Sequence, residues 1–149
     1  MSLRHYEDFA VGQVFDLGRY HITADEIIAF AREFDPQEFH LSEAAGKSSV
    51  LGGLAASGWQ VCALLVRMAT DSYINASAAM GSNGMDEIKW LKPVYAGETL
   101  TGTMTVKSKR VSSKRPEMGI LKCHWELFNT EGQKKTDMTG VNFMRVRQP

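Results

Sequence analysis

This sequence of 149 residues has no excess of charge of either sign, few cysteines and no long apolar run. Its 17 basic and 17 acidic side chains cancel, so no net field attracts nucleic acid or an anionic membrane surface. The longest apolar stretch, from Val61 to Val66, is too short to cross a bilayer, and the charged N-terminus lacks the apolar segment of a signal peptide. These absences predict a cytoplasmic protein that binds a small molecule or a second copy of its own chain.

Cysteine occurs at two positions, Cys62 and Cys123, which lack the spacing of a metal site or of a redox pair. Both lie in apolar or strand-like segments, so we expect them to be small core residues in a reducing compartment. The histidines His5, His21 and His124 form no ligand spacing with one another or with cysteine. We therefore expect no metal.

Apolar residues are plentiful enough for a core, because 44% of the sequence is hydrophobic. The length suits one domain over residues 1–149. Strand patterns dominate the second half, where short turns join segments that predict an antiparallel meander. One early strand and the helices precede this meander, so the predicted class is α+β, with a buried helix packed on a curved antiparallel sheet. The predicted strands cover residues 14–20, 88–91, 99–111, 119–128 and 135–147.

The first predicted helix has clear ends. Thr23-Ala-Asp-Glu26 forms a capping box that starts it. Pro36 disfavours helical geometry in the residue before it, so the helix ends at Phe34 or Asp35. Its apolar face, which we expect to be buried, consists of Ile27, Phe30, Ala31 and Phe34.

Two further helices follow, a short one from its Ser42 cap to about Lys47 and a long one from about Ser57 to Thr70. The long helix is nearly uncharged, so we expect it at the centre of the fold and buried on most sides. Residues 71–84 are rich in Ser, Ala, Asn and Gly, which predicts a helix tail and an exposed loop. The long helix has core spacing at Val61, Leu64, Leu65 and Met68, widened by Trp59, Cys62 and Val66.

Residues that could take part in a reaction flank the start of the long helix. Asp35 and His40 offer a carboxylate and an imidazole five residues apart, directly after the first helix ends. Residues 52–58 form a small-residue loop that leads into the long helix, where backbone amides can point at an incoming oxygen. An acid/base pair beside the amides of a helix start suits chemistry at a carbonyl.

The run Asp35-Pro-Gln-Glu-Phe-His40 resembles the hydratase motif of the MaoC-like dehydratases, the (R)-specific enoyl-CoA hydratases. The usual form of that motif is Asp-x-Asn-Pro-x-His. Leu51-Gly-Gly-Leu-Ala-Ala-Ser-Gly58 is similar to the family's apolar run that ends in His-Gly before the central helix. The segment Glu87 to Leu100, with Pro-Val and Gly-Glu inside it, is similar to the family's strand and glycine-acid turn. The three matches agree in order and spacing over about residues 25–101.

The resemblance implies a hotdog fold, a sheet wrapped around the central helix, that pairs into dimers or dimers of dimers with active sites at the interface. It implies reversible addition of water to a trans-2-enoyl thioester of coenzyme A or of acyl carrier protein. Coenzyme A would enter as part of the substrate, and no other cofactor is implied.

The resemblance also assigns roles to residues. Asp35 and His40 would hold and activate one water and move its proton, and the Gly58 amide would polarise the thioester carbonyl. We expect further substrate contacts from Gly53, Ser57 and Trp59.

Two departures from the family pattern bear on these roles. The residues that follow Asp35 differ from the motif and add an acid, Glu38. Ser57 stands where the family has histidine before the helix glycine, and Val66 stands where characterised hydratases carry a serine. Plainer roles therefore remain open: Asp35 as a turn residue, Ser57 as a helix cap and Gly58 as a position of close packing.

Two other functions also remain open. A hotdog thioesterase usually has a carboxylate on the central helix, and residues 58–70 contain none. A non-catalytic subunit that binds acyl thioesters would fit the two departures. A basic set in the second half either meets the phosphates of coenzyme A or is a solvated hairpin end: Lys107, Lys109, Arg110, Lys114 and Arg115.

Overall fold

The helices lie in the first half of the chain. The computed structural model describes residues 2–148. Across this range no helix combines the length and the apolarity needed to cross a membrane. The α-helices are α1 (Ala24–Phe34), α2 (Glu43–Ser48) and α3 (Gly58–Ala69), with a π-helical turn at Thr70–Ile74 and 3₁₀ turns at Tyr6–Asp8 and Glu38–His40.

The helix starts follow the signals in the sequence. At α1 the Thr23 hydroxyl accepts a hydrogen bond from the Glu26 N–H, and the Glu26 carboxylate accepts one from the Thr23 N–H. The Ser42 hydroxyl caps α2, and the Ser57 hydroxyl caps α3. Each cap supplies a partner to an N–H that the helix itself leaves unpaired, so the predicted starts are confirmed.

Within the described residues, six strands form one antiparallel sheet. They are β1 (Val14–His21), β2 (Ala79–Gly81), β3 (Met85–Trp90), β4 (Thr99–Val111), β5 (Met118–Asn129) and β6 (Lys134–Arg145). Their order is β1-β4-β5-β6-β2, and β3 also pairs with β6. The register shifts between β1 and β4, between β4 and β5 and between β5 and β6. Such irregularities bend the strands and let the sheet curve.

The helix α3 packs against the inner face of this sheet. Its residues Val61, Leu65 and Met68 are buried in one cluster with Leu100 and Met104 of β4. The strands β4 and β5 alternate between buried and partly exposed residues over most of their length, as the period of two predicts. A curved antiparallel sheet around a central helix is the hotdog fold, and this confirms the predicted α+β class.

Three apolar side chains that the periodicity assigned to the core are exposed instead. Phe34 is 66% exposed, Trp59 60% and Val66 51%. The helix α3 is therefore not buried on most sides, and that expectation was wrong. Trp59 packs edge-to-face on Trp90 of the edge strand β3, with ring centroids 5.1 Å apart. Periodicity identifies an apolar face, but it does not say what covers that face.

The segment after α3 is more ordered than the predicted tail and exposed loop. Tyr73 in the π-helical turn is fully buried, and its hydroxyl donates to the side-chain oxygen of Asn142 at 2.7 Å. The same hydroxyl accepts a hydrogen bond from the Trp125 indole at 3.0 Å. These bonds tie the end of α3 to β5 and β6, a long-range arrangement that the local composition does not reveal.

Candidate active site

The end of α1 places Asp35 and His40 next to each other. Asp35 is the residue that ends α1, and its N–H still donates to the Ala31 carbonyl at 2.9 Å. Pro36 stops the helix, and the 3₁₀ turn Glu38–His40 then directs the imidazole inward, where His40 is 5% exposed. The distance from His40 Nε2 to Asp35 Oδ2 is 3.6 Å.

The hydrogen bond of His40 to the backbone determines which ring nitrogen carries the proton. Its Nδ1 lies 2.7 Å from the Ala55 carbonyl oxygen. A carbonyl can only accept, so Nδ1 must be the donor, and Nε2 of the neutral ring then has a free lone pair. That lone pair lies beside the Asp35 carboxylate. The arrangement provides a proton acceptor in a buried position.

Two side chains hold the Asp35 carboxylate in place. The Ser57 hydroxyl donates to Oδ2 at 2.7 Å, and the Gln37 side-chain amide donates to Oδ1 at 2.7 Å. The Ser57 bond, followed by the Gln37 bond, lowers the pKa of the Asp35 carboxyl. Burial opposes this shift, and His40, when it is protonated, lowers the pKa of Asp35 slightly further. Asp35 is therefore held as the ionised form.

The start of α3 supplies an unpaired donor. The Ser57 hydroxyl accepts the Trp59 N–H at 3.3 Å, whereas the Gly58 N–H has no hydrogen-bond partner within residues 2–148. A helix N-terminus also carries a partial positive charge. The Gly58 N–H can therefore bind an oxygen on which negative charge develops.

Gly58 has a packing role as well. A Cβ atom built on it would lie 2.5 Å from Cε2 of Trp90, so the indole occupies the space of a side chain. Both the functional and the plain explanation for a glycine at this position thus have support in the geometry.

An ion pair between buried Lys135 and half-buried Glu98 fixes the segment that leads from β3 toward β4. The Lys135 ammonium lies 3.0 Å from the Glu98 carboxylate and donates to the Pro93 carbonyl at 2.8 Å. The neighbouring Val94 carbonyl accepts the Ala56 N–H at 2.8 Å, just before α3 begins. The Pro-Val and Gly-Glu elements noted in the sequence therefore brace the loop that leads into α3.

His40 and Gly58 line one cavity of about 270 Å³. Asp35 is not part of its wall, and it adjoins the cavity through His40 and Ser57. The other lining residues are Phe39, Leu51, Ala55, Ala56, Val61, Trp90, Leu91, Lys92, Pro93, Val94 and Thr136.

The three residues expected to contact substrate lie around this cavity rather than in its wall. Ser57 is fully buried behind it and bonds to Asp35. Trp59 projects outward. Gly53 packs on the ring of Tyr95 and lines a different depression, next to α2.

A second cavity of about 280 Å³ lies at the other end of α3. Its wall is mainly apolar and includes Leu65, Ala69, Met85, Trp125 and Met138. None of the acid, base or free backbone donors described above faces it. The acid, the base and the free backbone donor therefore all belong with the first cavity.

Three features of the structure were not predicted from the sequence. Gln37 is a partner of Asp35, and Thr136 reaches the first cavity from β6, about 100 residues away along the chain. The third is a cluster of His124, Glu126 and Asp137, whose ligand-type atoms lie within 4.8 Å of one another. The Lys134 ammonium binds both of its carboxylates. These side chains come from two adjacent strands, so spacing along the chain does not reveal them.

The basic set runs from the middle of β4 to the β4–β5 turn, away from Gly58. It flanks the β4–β5 hairpin, whose end pairs Met118 with Arg145, nine residues along β6 from Thr136. At about 3.3 Å per residue this is roughly 30 Å. Lys109 is already engaged, because its ammonium donates to the carbonyls of Tyr6 and Phe9.

Comparison with known proteins agrees with this architecture. Residues 8–124 match the profile of the MaoC like domain family. The crystal structure of a MaoC-like dehydratase from Rhodospirillum rubrum is 36% identical to this chain, with a TM-score of 0.89. That alignment covers 97% of this chain and 99% of the other.

Two more distant structures share the fold. The R-hydratase PhaJ1 from Pseudomonas aeruginosa is 18% identical with a TM-score of 0.73, over 97% of this chain and 91% of that one. A conserved hypothetical protein from Mycobacterium tuberculosis with a double hotdog fold is 16% identical with a TM-score of 0.84. The match covers 99% of this chain but 46% of that protein, so this chain corresponds to about half of the double fold.

Proposed function

The chain belongs to the MaoC-like domain family, and from this premise we propose that it is a hydro-lyase that adds water reversibly to a trans-2-enoyl thioester. One observation carries the proposal. The Nδ1–H···O bond to Ala55 leaves the His40 Nε2 lone pair free beside the ionised Asp35, and the same cavity is lined by Gly58, whose N–H is unpaired within residues 2–148. A base for water and a donor for a carbonyl are the two groups that this addition needs.

The proposed reaction follows from these positions. Asp35 and His40 hold one water, and its oxygen attacks the β-carbon of the enoyl group while a proton passes to His40 Nε2. The electron pair of the double bond moves toward the thioester oxygen and forms an enolate, which the Gly58 N–H stabilises. Return of the proton to the α-carbon completes the 3-hydroxyacyl thioester. The Asp35 carboxylate stabilises the imidazolium that forms between these steps.

We expect the hydrogen bond from the Gly58 N–H to contribute substantially to the rate. Removal of one well-placed oxyanion donor typically costs 10²- to 10³-fold in rate, about 3–4 kcal/mol. The Gly58 N–H is a backbone group on a rigid helix start, so it needs no reorganisation when charge develops on the oxygen.

The substrate class in this proposal is an acyl thioester of coenzyme A or of acyl carrier protein. The apolar lining of the first cavity suits an acyl group. A protein that shares the fold, PhaJ1 from Pseudomonas aeruginosa, is named as an R-hydratase. Coenzyme A is part of the substrate, and no separate cofactor is required. A thioesterase remains the alternative enzyme, although α3 presents no carboxylate to the cavity.

We also propose that two copies of the chain pair along β3. This strand pairs with β6 on one side, and no strand within residues 2–148 pairs with its other side. Exposed apolar side chains adjoin that free edge, on β3 and on the outer side of α3: Trp59, Val66, Met85, Trp90 and Leu91. A free strand edge beside an apolar patch is a natural pairing surface. The match to half of a double hotdog protein supports the same arrangement.

The experiment that tests the function uses a panel of trans-2-enoyl-CoA substrates that starts at crotonyl-CoA. We expect loss of the enoyl absorbance without release of free thiol. His40→Ala should lower kcat about 10²- to 10⁴-fold, the range of general acid–base catalysis, while His21→Ala, an exposed histidine on β1, should leave it unchanged.

Other outcomes identify the alternatives. Release of free thiol would indicate a thioesterase. A protein that binds acyl-CoA but turns over none of the panel, with binding unchanged in His40→Ala, would be a non-catalytic acyl-thioester-binding subunit.

A further inference from the structure

The Thr136 hydroxyl is a buried polar group that the proposed reaction does not use. Thr136 lies on β6 and is 1% exposed, and its Oγ1 has no hydrogen-bond partner within residues 2–148. Buried hydroxyl groups are nearly always paired, because an unpaired one loses its bonds to water without replacement. An unpaired hydroxyl on a residue that lines a cavity can take its partner from a ligand that enters the cavity.

Thr136 belongs to the wall of the cavity that His40 and Gly58 also line. In the sheet, Thr136 stands opposite Trp90, whose indole packs against Gly58. Val61, less than one turn after Gly58 on α3, lines the same cavity. The threonine therefore lies on the helix-facing side of the sheet, next to the first turn of α3.

Most of this cavity wall cannot form side-chain hydrogen bonds. The side chains of this wall that can form hydrogen bonds are those of His40, Trp90, Lys92 and Thr136. The proposed reaction assigns His40 to water, whereas Trp90 and Lys92 are both exposed at the surface. Thr136 is left as the one buried, neutral side-chain donor without a partner in this part of the described chain.

We propose that the Thr136 hydroxyl donates a hydrogen bond to the carbonyl oxygen of the acyl thioester, as a second donor beside the Gly58 N–H. The proposal rests on the function proposed above. Negative charge grows on this oxygen as water attacks the β-carbon, so a donor here stabilises the transition state more than the bound substrate. Thr136 transfers no proton, and the bonds made and broken in the addition stay as described.

The test compares Thr136→Val with the wild-type protein. The valine removes the hydroxyl and keeps a similar shape. We expect kcat for crotonyl-CoA to fall about 10- to 100-fold, with KM changed less than about threefold, because the lost bond acts mainly in the transition state. Thr136→Ser should restore most of kcat. Thr139→Val, a threonine of β6 on the opposite face of the sheet, is the matched control and should leave kcat unchanged.

A second measurement separates this role from a structural one. Thr136→Val replaces an unpaired buried hydroxyl with a methyl group, so its melting temperature should stay equal or rise by about 2–4 °C. A threonine that served only the fold would lose stability and activity together in the same variant.

The outcomes also separate this inference from the proposed function. If the wild-type protein hydrates crotonyl-CoA and Thr136→Val does so at the same rate, the inference is overturned and the function stands. If the wild-type protein hydrates none of the panel, the function fails, and calorimetry with butyryl-CoA decides the inference. Binding that is about two- to threefold weaker in Thr136→Val than in Thr139→Val would support it, and equal binding in the two variants or no binding at all would overturn it.

Discussion

At the scale of single residues, Ser57 connects the two halves of the proposed site. Its hydroxyl donates to the Asp35 carboxylate and accepts the Trp59 N–H, so one group orients the acid and caps α3 at the same time. Gln37 is the second donor to Asp35. In the family motif a histidine precedes the helix glycine and an asparagine stands at the position of Gln37. This chain therefore holds its carboxylate with a different pair of donors.

We predict that Ser57→Ala destabilises the protein more at pH 7 than in acid. The folded-state pKa of Asp35 lies below its ordinary value of 3.8. Its ionised carboxylate therefore stabilises the fold fully above that value, and this contribution disappears as the pH falls through the lowered pKa. Without the Ser57 hydroxyl the pKa moves back up, so the variant loses this contribution in addition to its helix cap, which is itself worth about 1 kcal/mol.

Urea unfolding at pH 7 and below pH 3 measures the difference. Ser42→Ala is the matched control, because Ser42 caps α2 through the Ala45 N–H and has no bond to Asp35. Its stability loss should be the same at both pH values. An equal loss at both pH values in Ser57→Ala as well would contradict the role assigned to the Ser57–Asp35 bond.

At the scale of elements, close contact between α3 and β3 sets the position of the candidate donor. The Trp90 indole fills the space where a side chain of Gly58 would stand, and Trp59 packs against its edge. The strand β3 thus presses on the first turn of α3. Any change in this contact shifts the Gly58 N–H relative to the cavity.

We predict that Gly58→Ala and Trp90→Ala are strongly non-additive. The alanine methyl would overlap the indole, so Gly58→Ala alone should cost about 1–3 kcal/mol, as overpacking does. With Trp90→Ala the overlap disappears, and the double variant should lose less than the sum of the single changes. Since alanine keeps the backbone N–H, the double variant should also regain part of the hydration rate lost in Gly58→Ala.

Gly46 provides the control for this comparison of single and double variants. A Cβ atom there would lie 2.5 Å from the Gly53 carbonyl oxygen, a backbone clash that Trp90→Ala cannot relieve. Gly46→Ala and Trp90→Ala should therefore add in unfolding experiments. If the stability losses of Gly58→Ala and Trp90→Ala add, the contact with the Trp90 indole is not what requires a glycine at position 58.

At the scale of the whole molecule, a group of exposed apolar side chains lies at one edge of the sheet. Val66 of α3 and Met85 of β3 are exposed, and both line the second cavity beside the free side of β3. Burial of such a patch against a second copy would remove it from water and pair the open strand. This edge is also the one nearest to Trp90, and hence to the first cavity.

We predict that Val66→Lys converts a dimer into a monomer, because the interface would have to desolvate a charge. Light scattering on the purified protein measures the mass directly. Val14→Lys is the control: Val14 is 59% exposed on β1, at the opposite edge of the sheet, so this variant should stay dimeric. If the Val66→Lys protein has the mass of a dimer, the interface does not lie at this edge.

The sequence by itself determined the fold class and most of the elements, although β2 lies in a segment that its composition predicts as a loop. Local signals were sufficient for them, because a capping box, a proline, serine caps and the two hydrophobic periods act over a few residues. The same local signals brought Asp35 and His40 together, since the chain between them is short and its turn is set by Pro36. Family resemblance then supplied the roles proposed for these residues and for Gly58.

Only the tertiary structure decided what lies across from these residues and what remains uncovered. Thr136 reaches the first cavity and Trp90 packs on Gly58 because β6 and β3 pair, a contact between segments more than 40 residues apart. The exposure of Val66 likewise depends on where the sheet ends, and not on its place in a helical period. Burial and pairing belong to the packed chain as a whole, so no local pattern could specify them.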